Sequence, residues 1–540
     1  MKNLTLNYNH LEYYNMQIKT SVAHRHAFIA LLCCLFISLI NTQYLQAKEA
    51  SLKNSRPNII YVLTDDQGMG DLSYTGNTIL QTPHLDKFAE SATRFTDFQV
   101  SPTCAPSRAA IMSGRRPFEV GVTHTVLHRE RMALDVTTFP QLLQKAGYKT
   151  ALFGKWHLGD KGEYLPQKRG FDEVLMHGAG GIGQALGDFK VNRKNTYFDN
   201  VLLHNNTVVQ TEGFCTDLFF TSALSWIKKQ HEEKQPYFAY VSLNAPHAPA
   251  IAPEHYKRKF MDQGYDERSA SRYGMVENID DNFGHMMQQL KTWGALENTL
   301  VIFMTDNGMT MPAIKKKGVA RFKPFNAGMK GGKNSPWEGG SHIPSFWYWN
   351  GVLAENTDIN ALTSHIDLYR TFTDLAGVNI PESKLPPVGR SLLPLLENSE
   401  ATWPDRKLFV HKGRWDDGRK NKMTREENQY NGAAIRTEQW RLVYSLDKKG
   451  KLETYLSDVM KDPGETTNLA VKFPKIVSEL KASYDIWWHS TEPFLINDKL
   501  PKVKSNTKSF NEKYNEQLKG KGIPNWKPTL PIRDFKETRL

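Results

Sequence analysis

Four apolar runs between residues 58 and 304 stop abruptly at polar residues or glycines. None of them alternates polar with apolar positions, and a short continuous run of this kind predicts a strand buried on both faces of a parallel sheet. Segments with helical spacing lie between them and after them. The chain therefore predicts an α/β fold with a large, mixed but mostly parallel sheet sandwiched by helices. The runs cover 58–63, 149–153, 237–243 and 299–304, and the helical segments are 138–146, 221–229, 273–290 and 364–376.

The pattern changes after the large domain, to which we assign residues 56–400. From residue 401 onward the apolar runs are short and alternate with polar positions, which is typical of half-buried antiparallel strands. A D-P-G-E turn and a helical segment follow. Residues 401–490 thus predict a smaller α+β subdomain with one antiparallel sheet and one helix. Its predicted strands are 407–411, 433–436 and 440–445, and its predicted helix is 474–488.

Residues 491–540 are predicted to form a basic extension. Between residues 499 and 540 there are 11 Lys and Arg side chains against 4 Asp and Glu side chains, and the whole chain of 540 residues has a formal net charge of +12. Such a balance is typical of a solvated tail, and it also favours acidic partners such as sulfated glycans or nucleic acid. Charge alone does not separate these alternatives.

Residues 1–47 have the pattern of an export signal. The apolar run at 27–40 follows basic residues and is too short to span a bilayer. Cleavage is expected near Ala47 or Ala50, and Met16 is an alternative start because the polar residues before it resemble no leader. The mature protein is therefore expected to be exported, periplasmic or secreted, and to keep no stable membrane span.

Two cysteines remain once the leader is removed, Cys104 and Cys215. We expect no disulfide between them, because exported enzymes of this size need no such crosslink. Single cysteines are usually small buried hydrophobic residues, and we interpret Cys215 in this way.

Cys104 lies in a context that favours chemistry. It belongs to the run S-P-T-C-A-P-S-R, where a strand is expected to end and a helix to begin. Pro106 suits the first turn of a helix, and residues 109–112 have the composition of a buried helix. The sulfur would then lie at the positive end of the helix dipole, with Arg108 one turn along on the same side. This arrangement favours an anion and an activated nucleophile.

Two of the buried strands are followed by acidic and amide side chains. Asp65 and Asp66 follow the first run, and Asp306 and Asn307 follow the last. Ligand sites in parallel sheets form beyond the carboxyl ends of the strands, so these side chains are expected to meet. Their oxygen atoms suit a hard cation such as calcium or magnesium. The alternative is that each aspartate caps a following helix.

The other two runs end in motifs that carry histidine. G-K-W-H-L-G supplies Lys155 and His157, and A-P-H-A-P supplies His247. A lone histidine at a strand end is more often a hydrogen-bonded structural residue than a functional one. The glycine-rich segment M-K-G-G-K-N-S-P-W-E-G-G adds two lysines, Lys330 and Lys333, and on composition alone it predicts a mobile surface loop.

These motifs together resemble the formylglycine-dependent (type I) sulfatases of the alkaline phosphatase superfamily, particularly the bacterial polysaccharide and aryl sulfatases. The strongest likeness is C-A-P-S-R with S-G downstream, which in that family marks a cysteine that is oxidised to an aldehyde. Ser113 stands where the family more often has threonine, and Ile111 where it often has leucine. The resemblance covers about residues 56–490 and implies an alkaline-phosphatase-like fold.

The resemblance also implies roles for individual residues. A formylglycine-generating or sulfatase-maturating enzyme would convert Cys104 to formylglycine (3-oxoalanine), and a divalent metal would be bound beside it, with calcium favoured over magnesium. The family places its active-site lysine five residues before the glutamate of E-G-G, which selects Lys333 over Lys330 and Lys323. The implied metal ligands are Asp65, Asp66, Cys104, Asp306 and Asn307. The implied catalytic residues are Cys104, Arg108, Lys155, His157, His247 and Lys333.

The expected function is hydrolysis of sulfate esters on a sulfated polysaccharide or oligosaccharide, with no nucleic acid partner. The prediction that the substrate is a carbohydrate rests on the export signal, the basic extension, and the 12 Trp and 21 Tyr side chains available to stack on sugar rings. One alternative is a phosphate or phosphonate monoester hydrolase of the same superfamily, and another is a non-catalytic polyanion-binding protein.

The sequence leaves the sugar, the sulfate position, the mode of chain cleavage and the oligomeric state open. Weak candidates for substrate selection are His124, His177 and Arg414. His177 begins a glycine-dense stretch that follows no clear strand, and we expect that stretch to be a loop on the substrate side.

Overall fold

The structure, a computed structural model, describes residues 51–533 except 127, 183–196, 311–314, 320–322, 417–421, 448 and 501–507. The predicted signal at 1–47 lies outside the described residues. The chain divides into two units, residues 1–52 and 53–540, and the features below all belong to the second. In the described part of the chain, no helix has both the length and the apolar character needed to cross a membrane.

Ten strands form one large mixed sheet, and three short strands form a second sheet. The large sheet contains β1 (Asn58–Thr64), β2 (Thr93–Phe95), β4 (Lys149–Lys155), β5 (Glu173–His177), β6 (Val201–His204), β7 (Thr207–Gln210), β8 (Tyr237–Ser242), β9 (Thr299–Thr305), β11 (Ser345–Tyr348) and β12 (Thr357–Ile359). Their order is β12-β2-β11-β9-β1-β8-β4-β5-β6-β7. The small sheet contains β3 (Phe98–Gln99), β10 (His342–Ile343) and β13 (Thr363–Ser364), in the order β10-β3-β13.

The five central strands, from β9 to β5 in the sheet order, are all parallel. Thr64 at the end of β1 lies opposite Thr305 at the end of β9, and Gly154 of β4 lies opposite Ser242 of β8. The carboxyl ends of the four predicted strands therefore meet at one edge, and the predicted α/β sheet is confirmed. The other six strands of the large sheet were not predicted, because runs of three to five residues are too short to establish a period: β2, β5, β6, β7, β11 and β12.

Helices cover both faces of the large sheet. On one face, Val62 and Phe303 pack in a core with Leu218 and Phe283 from two long helices. On the other face, Tyr61 lies against Phe372, with ring centroids 6.1 Å apart. Adjacent residues of β1 thus point to opposite helical layers, as the period of a strand requires. The helices are α1 (Pro83–Ser91), α2 (Cys104–Ser113), α3 (Phe139–Lys145), α4 (Cys215–Glu232), α5 (Glu254–Asp262), α6 (Glu267–Thr292), α7 (Glu338–Ser341), α8 (Asp367–Ala376), α9 (Leu393–Glu397), α10 (Pro474–Ser490) and α11 (Lys508–Lys519).

The predicted C-terminal α+β subdomain is an antiparallel sheet packed against α10. Its strands, in sheet order, are β14 (Leu408–His411), β15 (Ala433–Arg436), β16 (Trp440–Leu446) and β17 (Leu452–Asp458), of which the last was not predicted. Trp415, Tyr484, Trp487 and Trp488 form its core together with Phe118 of the large domain. Phe118 lies outside the range 401–490 predicted for the subdomain, so this core crosses the predicted boundary. The domain boundaries remain a prediction.

The basic extension packs against the edge strand β7 of the large sheet. The Gln517 side chain bonds the main-chain N–H and C=O of Val208 at 2.9 and 2.6 Å, and the Trp526 N–H donates to the Gln210 carbonyl at 2.8 Å. The described part of the extension therefore covers exposed strand hydrogen-bonding groups instead of projecting into solvent.

Candidate active site

The acidic side chains after β1 and β9 meet at the carboxyl edge of the sheet, as predicted. The Asp66 N–H donates to Asp306 Oδ1 at 3.3 Å, and the Asn307 amide donates to Asp66 Oδ1 at 3.0 Å. One ligand atom each from Asp65, Asp306 and Cys104 lies within 4.8 Å of the others. Residues separated by some 240 positions therefore form one buried cluster.

The cluster fits a metal ion. Among the described atoms, Asp65 Oδ1 and Asn307 Oδ1 are buried and have no hydrogen-bond partner, whereas nearly all buried polar atoms in proteins have one. Carboxylate and amide oxygens are the ligands that hard cations prefer. The helix-capping alternative is wrong for the first pair, because the helical turn after β1 is capped by Gly68.

The three carboxyl groups of the cluster differ in their electrostatics. Burial, assisted by the neighbouring carboxylates, raises the pKa of Asp65 to about 7 and that of Asp306 to about 6. Asp66 differs: burial would raise its pKa, but the charges of Lys333 and His247 and the bond from Asn307 hold it well below its usual range. A cation at the cluster would favour the ionised forms of all three.

Two cationic side chains, Lys155 and Arg108, bind the carboxylates of the cluster on its closed side. The Lys155 ammonium donates to Asp65 Oδ2 at 2.6 Å, and both side chains are fully buried. The Arg108 guanidinium donates to Asp306 Oδ2 at 3.0 Å through Nε and to the Lys155 carbonyl at 3.0 Å through Nη1. Nη1 also donates to the Ser242 hydroxyl. Arg108 therefore joins the ends of β4, β8 and β9 to its own helix.

Cys104 is the first residue of α2 and has 2% of its surface exposed. Its sulfur lies 3.4 Å from Lys333 Nζ. Burial alone would raise the pKa of the Cys104 thiol, but the charges of Lys155 and Lys333 lower it below its usual value. Both Cys104 and Cys215 are free and buried, in agreement with the expectation that they form no disulfide.

His157 is held as a neutral imidazole with one available lone pair. Its Nε2 lies 2.9 Å from the Thr125 carbonyl, which only accepts, so we assign the proton to Nε2. Nδ1 is buried and has no partner among the described residues. Burial and then the charge of Lys155 hold the pKa of His157 well below its usual value. Gly180 packs on the ring so closely that a Cβ there would come within 2.4 Å of Nε2.

His247 and Lys333 form the more accessible side of the site. Their side chains are 16% and 8% exposed, whereas Asp65 is fully buried. His247 Nδ1 lies 2.7 Å from the Ala248 carbonyl, and Nε2 lies 3.9 Å from Asp66 Oδ2. The Lys333 ammonium donates to Asp66 Oδ1. Access to the buried cluster is therefore from the side of His247 and Lys333.

The structure also distinguishes the three lysines that the sequence offered as candidates for the active-site lysine. Lys333 reaches the cluster, Lys323 is exposed, and Lys330 lies between two aromatic rings outside it. His157 contacts Thr125 and Gly180, whereas the other predicted site residues are joined in one cluster by hydrogen bonds and ion pairs. The roles of all of them stay predictions.

The candidates for substrate selection lie in different environments. His124 is fully buried and bonded to the Trp415 carbonyl at 2.7 Å, which indicates a structural role. Arg414 donates to the Thr125 hydroxyl at 2.9 Å, beside the carbonyl that orients His157. His177 ends strand β5, so the expectation that its stretch follows no strand is wrong.

Sequence reasoning missed two side chains that orient the centre. The Thr310 hydroxyl donates to Asp66 Oδ2 at 2.6 Å. The Ser242 hydroxyl donates to the Lys155 carbonyl at 2.6 Å while it accepts from Arg108. Each lies within five residues of the end of a buried strand, and that position was the available signal.

A model of the Sulfatase family matches residues 57–378, which include every predicted site residue. The chain belongs to the sulfatase family. It is a sulfuric ester hydrolase. A second family model, described as N-sulphoglucosamine sulphohydrolase, C-terminal, matches residues 333–485 of this sulfatase. The two matches overlap over residues 333–378, so Lys333 belongs to both.

Relatives and solved structures agree with this assignment. The sulfatase is 32% identical over 377 residues to the N-acetylgalactosamine-6-sulfatase of Mus musculus, covering 66% of this chain and 69% of that enzyme. It is 27% identical to a protein named uncharacterized sulfatase YdeN of Escherichia coli (strain K12), covering 85% and 90% of the two chains. The crystal structure of Ps i-CgsB in complex with k-i-k-neocarrahexaose has a TM-score of 0.70 at 26% identity, covering 86% of this chain and 98% of that chain.

Proposed function

We propose that this sulfatase hydrolyses sulfate esters of a polysaccharide or oligosaccharide, with residue 104 acting as formylglycine. The observation that carries the proposal is the convergence of buried carboxylates and cationic side chains on Cys104. The sugar is inferred from relatives: one is named for a sulfated amino sugar, and one solved structure contains an oligosaccharide. Four tryptophans are buried and are not available to stack on a sugar ring: Trp156, Trp347, Trp415 and Trp488.

Calcium is the proposed metal, with magnesium as the alternative. Asp65, Asp66, Asp306 and Asn307 would hold it through oxygen atoms, with the side chain derived from Cys104 as a further ligand. When bound, the cation supplies positive charge that offsets the carboxylates and the sulfate ester. The orphaned oxygens of Asp65 and Asn307 support this assignment.

Residue 104 is the proposed nucleophile. One hydroxyl group of the hydrated aldehyde attacks sulfur as the bond from sulfur to the alcohol oxygen breaks. Deprotonation of the second hydroxyl group, which a cysteine lacks, then expels sulfate and restores the aldehyde. Conversion must precede folding, because a thiol that is 2% exposed is closed to a modifying enzyme. We therefore propose that a formylglycine-generating or sulfatase-maturating enzyme acts on the unfolded chain, before or during export.

The surrounding side chains divide the proton transfers between them. Arg108 and Lys155 hold the carboxylates in place from the closed side of the site. His157 can take a proton from residue 104, because its Nδ1 lone pair is available and its ring is neutral.

On the open side, Lys333 and His247 are placed to bind sulfate oxygens and to give a proton to the departing alcohol. Asp66 and Cys104 hold the pKa of Lys333 above its usual range although burial opposes them, so its ammonium stays charged. Stabilisation of the sulfate oxygens by such preoriented donors is the expected source of most of the rate enhancement.

The proposal is tested by co-expressing the protein with a formylglycine-generating enzyme. Mass spectrometry of the peptide containing residue 104 should show the aldehyde form, and the preparation should release sulfate from a panel of sulfated oligosaccharides. Cys104→Ala should abolish release, whereas Cys215→Ala, at the other buried thiol, should retain it. An active preparation in which residue 104 is still a thiol would refute the mechanism.

Matched sulfate and phosphate esters of one alcohol separate the alternatives. Faster turnover of the phosphate ester would favour a phosphate or phosphonate monoester hydrolase. Binding of sulfated glycans with no turnover of either ester, by a preparation whose residue 104 is in the aldehyde form, would favour a polyanion-binding protein.

A further inference from the structure

The segment that carries Lys333, residues 329–341, is here called the lysine loop. It has little regular structure of its own, since only Glu338–Ser341 is helical. On the side of the active site, the Lys333 N–H donates to the Met309 carbonyl and the Asn334 N–H to the Pro102 carbonyl, both at 2.9 Å. Its opposite side faces the four-stranded sheet of the C-terminal subdomain.

Arg441 on β16 is the main contact from that sheet to the lysine loop. Its side chain is fully buried. Nε donates to the Pro336 carbonyl at 2.8 Å, Nη1 to Glu338 Oε1 at 2.6 Å, and Nη2 to the Ser341 hydroxyl at 2.9 Å. One guanidinium therefore bonds three positions of the lysine loop, which a lysine at 441 could not do.

An aromatic cage forms a second contact between the loop and the sheet. The Lys330 ammonium lies 3.6 Å from the ring centroid of Trp337 and 4.0 Å from that of Tyr455 on β17. It also donates to the Glu465 carbonyl at 3.3 Å. Trp337 itself packs against the apolar face of the sheet at Val410. The lysine excluded from the active site thus joins the loop to the sheet.

Glu338 is the acidic residue to which the basic side chains of this contact donate. Its carboxylate accepts from Arg436 at 2.9 Å, Arg441 at 2.6 Å and His342 at 2.9 Å. Burial would raise the pKa of Glu338, but the two arginines and His342 hold it well below its usual range. The Glu338 N–H donates to the Glu465 carboxylate at 2.8 Å. Removing one partner from such a buried network is costly, because it leaves a charge unpaired.

We propose that Arg441 is a positioning residue, through which the C-terminal sheet fixes the lysine loop so that Lys333 Nζ stays between Asp66 and residue 104. Two positions of the loop have positive φ values, Gly331 and Asn334, so the segment has alternative conformations available when it is not held. A misplacement of about 1 Å can cost about 100-fold in rate. The inference rests on the proposed role of Lys333.

The test compares Arg441→Lys, which keeps the positive charge but loses the planar set of guanidinium donors, with a control substitution at Arg425. Arg425 donates to the Trp488 carbonyl at 2.8 Å and lies 4.5 Å from the centroid of that ring, within the same subdomain. We expect Arg441→Lys to lower kcat/KM by about 10- to 100-fold. Arg425→Gln should lower Tm comparably and leave kcat/KM within about twofold of the wild type.

A double-mutant cycle separates positioning from a general loss of structure. In a Lys333→Ala background, Arg441→Lys should have no further effect on kcat/KM, because the group it positions is gone. Equal effects of Arg441→Lys in both backgrounds would overturn the inference. Full activity of Lys333→Ala alone would instead refute the role of Lys333 in the proposed function.

A second variant keeps the inference falsifiable if changes at Arg441 prevent folding. Lys330→Met preserves the stem of the side chain but removes the caged charge, and it is only partly buried. Lys330→Met should lower kcat/KM when Lys333 is present and should leave kcat/KM unchanged in the Lys333→Ala background. Unchanged kcat/KM in both would count against the contact as a whole.

Discussion

Replacement of Arg108 by Gln tests whether one guanidinium holds the active site together. Arg108 is 1% exposed, and its donors reach Asp306, the Lys155 carbonyl, the Ser242 hydroxyl and the Leu243 carbonyl. A glutamine is shorter and uncharged, so it cannot reach these acceptors together. The variant leaves the Asp306 carboxyl without its nearest cation, at a position from which water is excluded.

The magnitude follows from the burial of this pair. Removing one partner of a buried ion pair costs about 3–5 kcal/mol. Across the roughly 490 residues of the second unit, an unfolding entropy of about 2.1 cal/mol/K per residue means that about 1 kcal/mol shifts Tm by about 1 °C. We therefore expect Tm to fall by about 3–5 °C. Sulfate release should fall by about 100- to 1000-fold, because Asp306 and Lys155 lose their common anchor.

The assay compares thermal melts and sulfate release for Arg108→Gln and Arg169→Gln. Arg169 is similarly buried and donates to the carbonyls of Ala133, Leu134 and Val136 at 2.8–3.1 Å, away from the carboxylate cluster. The control should lose stability but keep its activity at a temperature well below its Tm. If Arg108→Gln loses no more activity than Arg169→Gln, Arg108 does not hold the active site together.

Three further results are expected. Chelation should lower Tm and stop sulfate release, and added calcium should restore both. A ligand at 100 times its Kd stabilises the folded protein by about 2.7 kcal/mol. A Tm unaffected by chelation would exclude a metal from the acidic cluster. His157→Ala should lower kcat by about 100- to 10,000-fold with little change in KM, and a change confined to KM would argue against a proton-transfer role. Truncation after Leu500 should uncover β7 and increase light scattering on concentration, whereas an unaltered monodisperse protein would show that the edge is otherwise protected.

The acidic side chains of the candidate site were predictable because they follow buried strands. Asp65 and Asp306 each come directly after a continuous apolar run, and that signal is local. The state of His157 was not predictable, because the proton position depends on a carbonyl 32 residues away. The choice between Lys330 and Lys333 required the family motif, since both lie in the same glycine-rich segment.

The sequence by itself determined four of the five central strands, the edge of the sheet where the site forms, and the residue types that reach it. These follow from periodicity and from breaks in periodicity, which act over a few residues. Only the tertiary structure decided that Arg441 bonds a loop 105 positions earlier and that the basic extension covers β7. Such contacts depend on which packed surfaces face one another, and no local pattern along the chain encodes that.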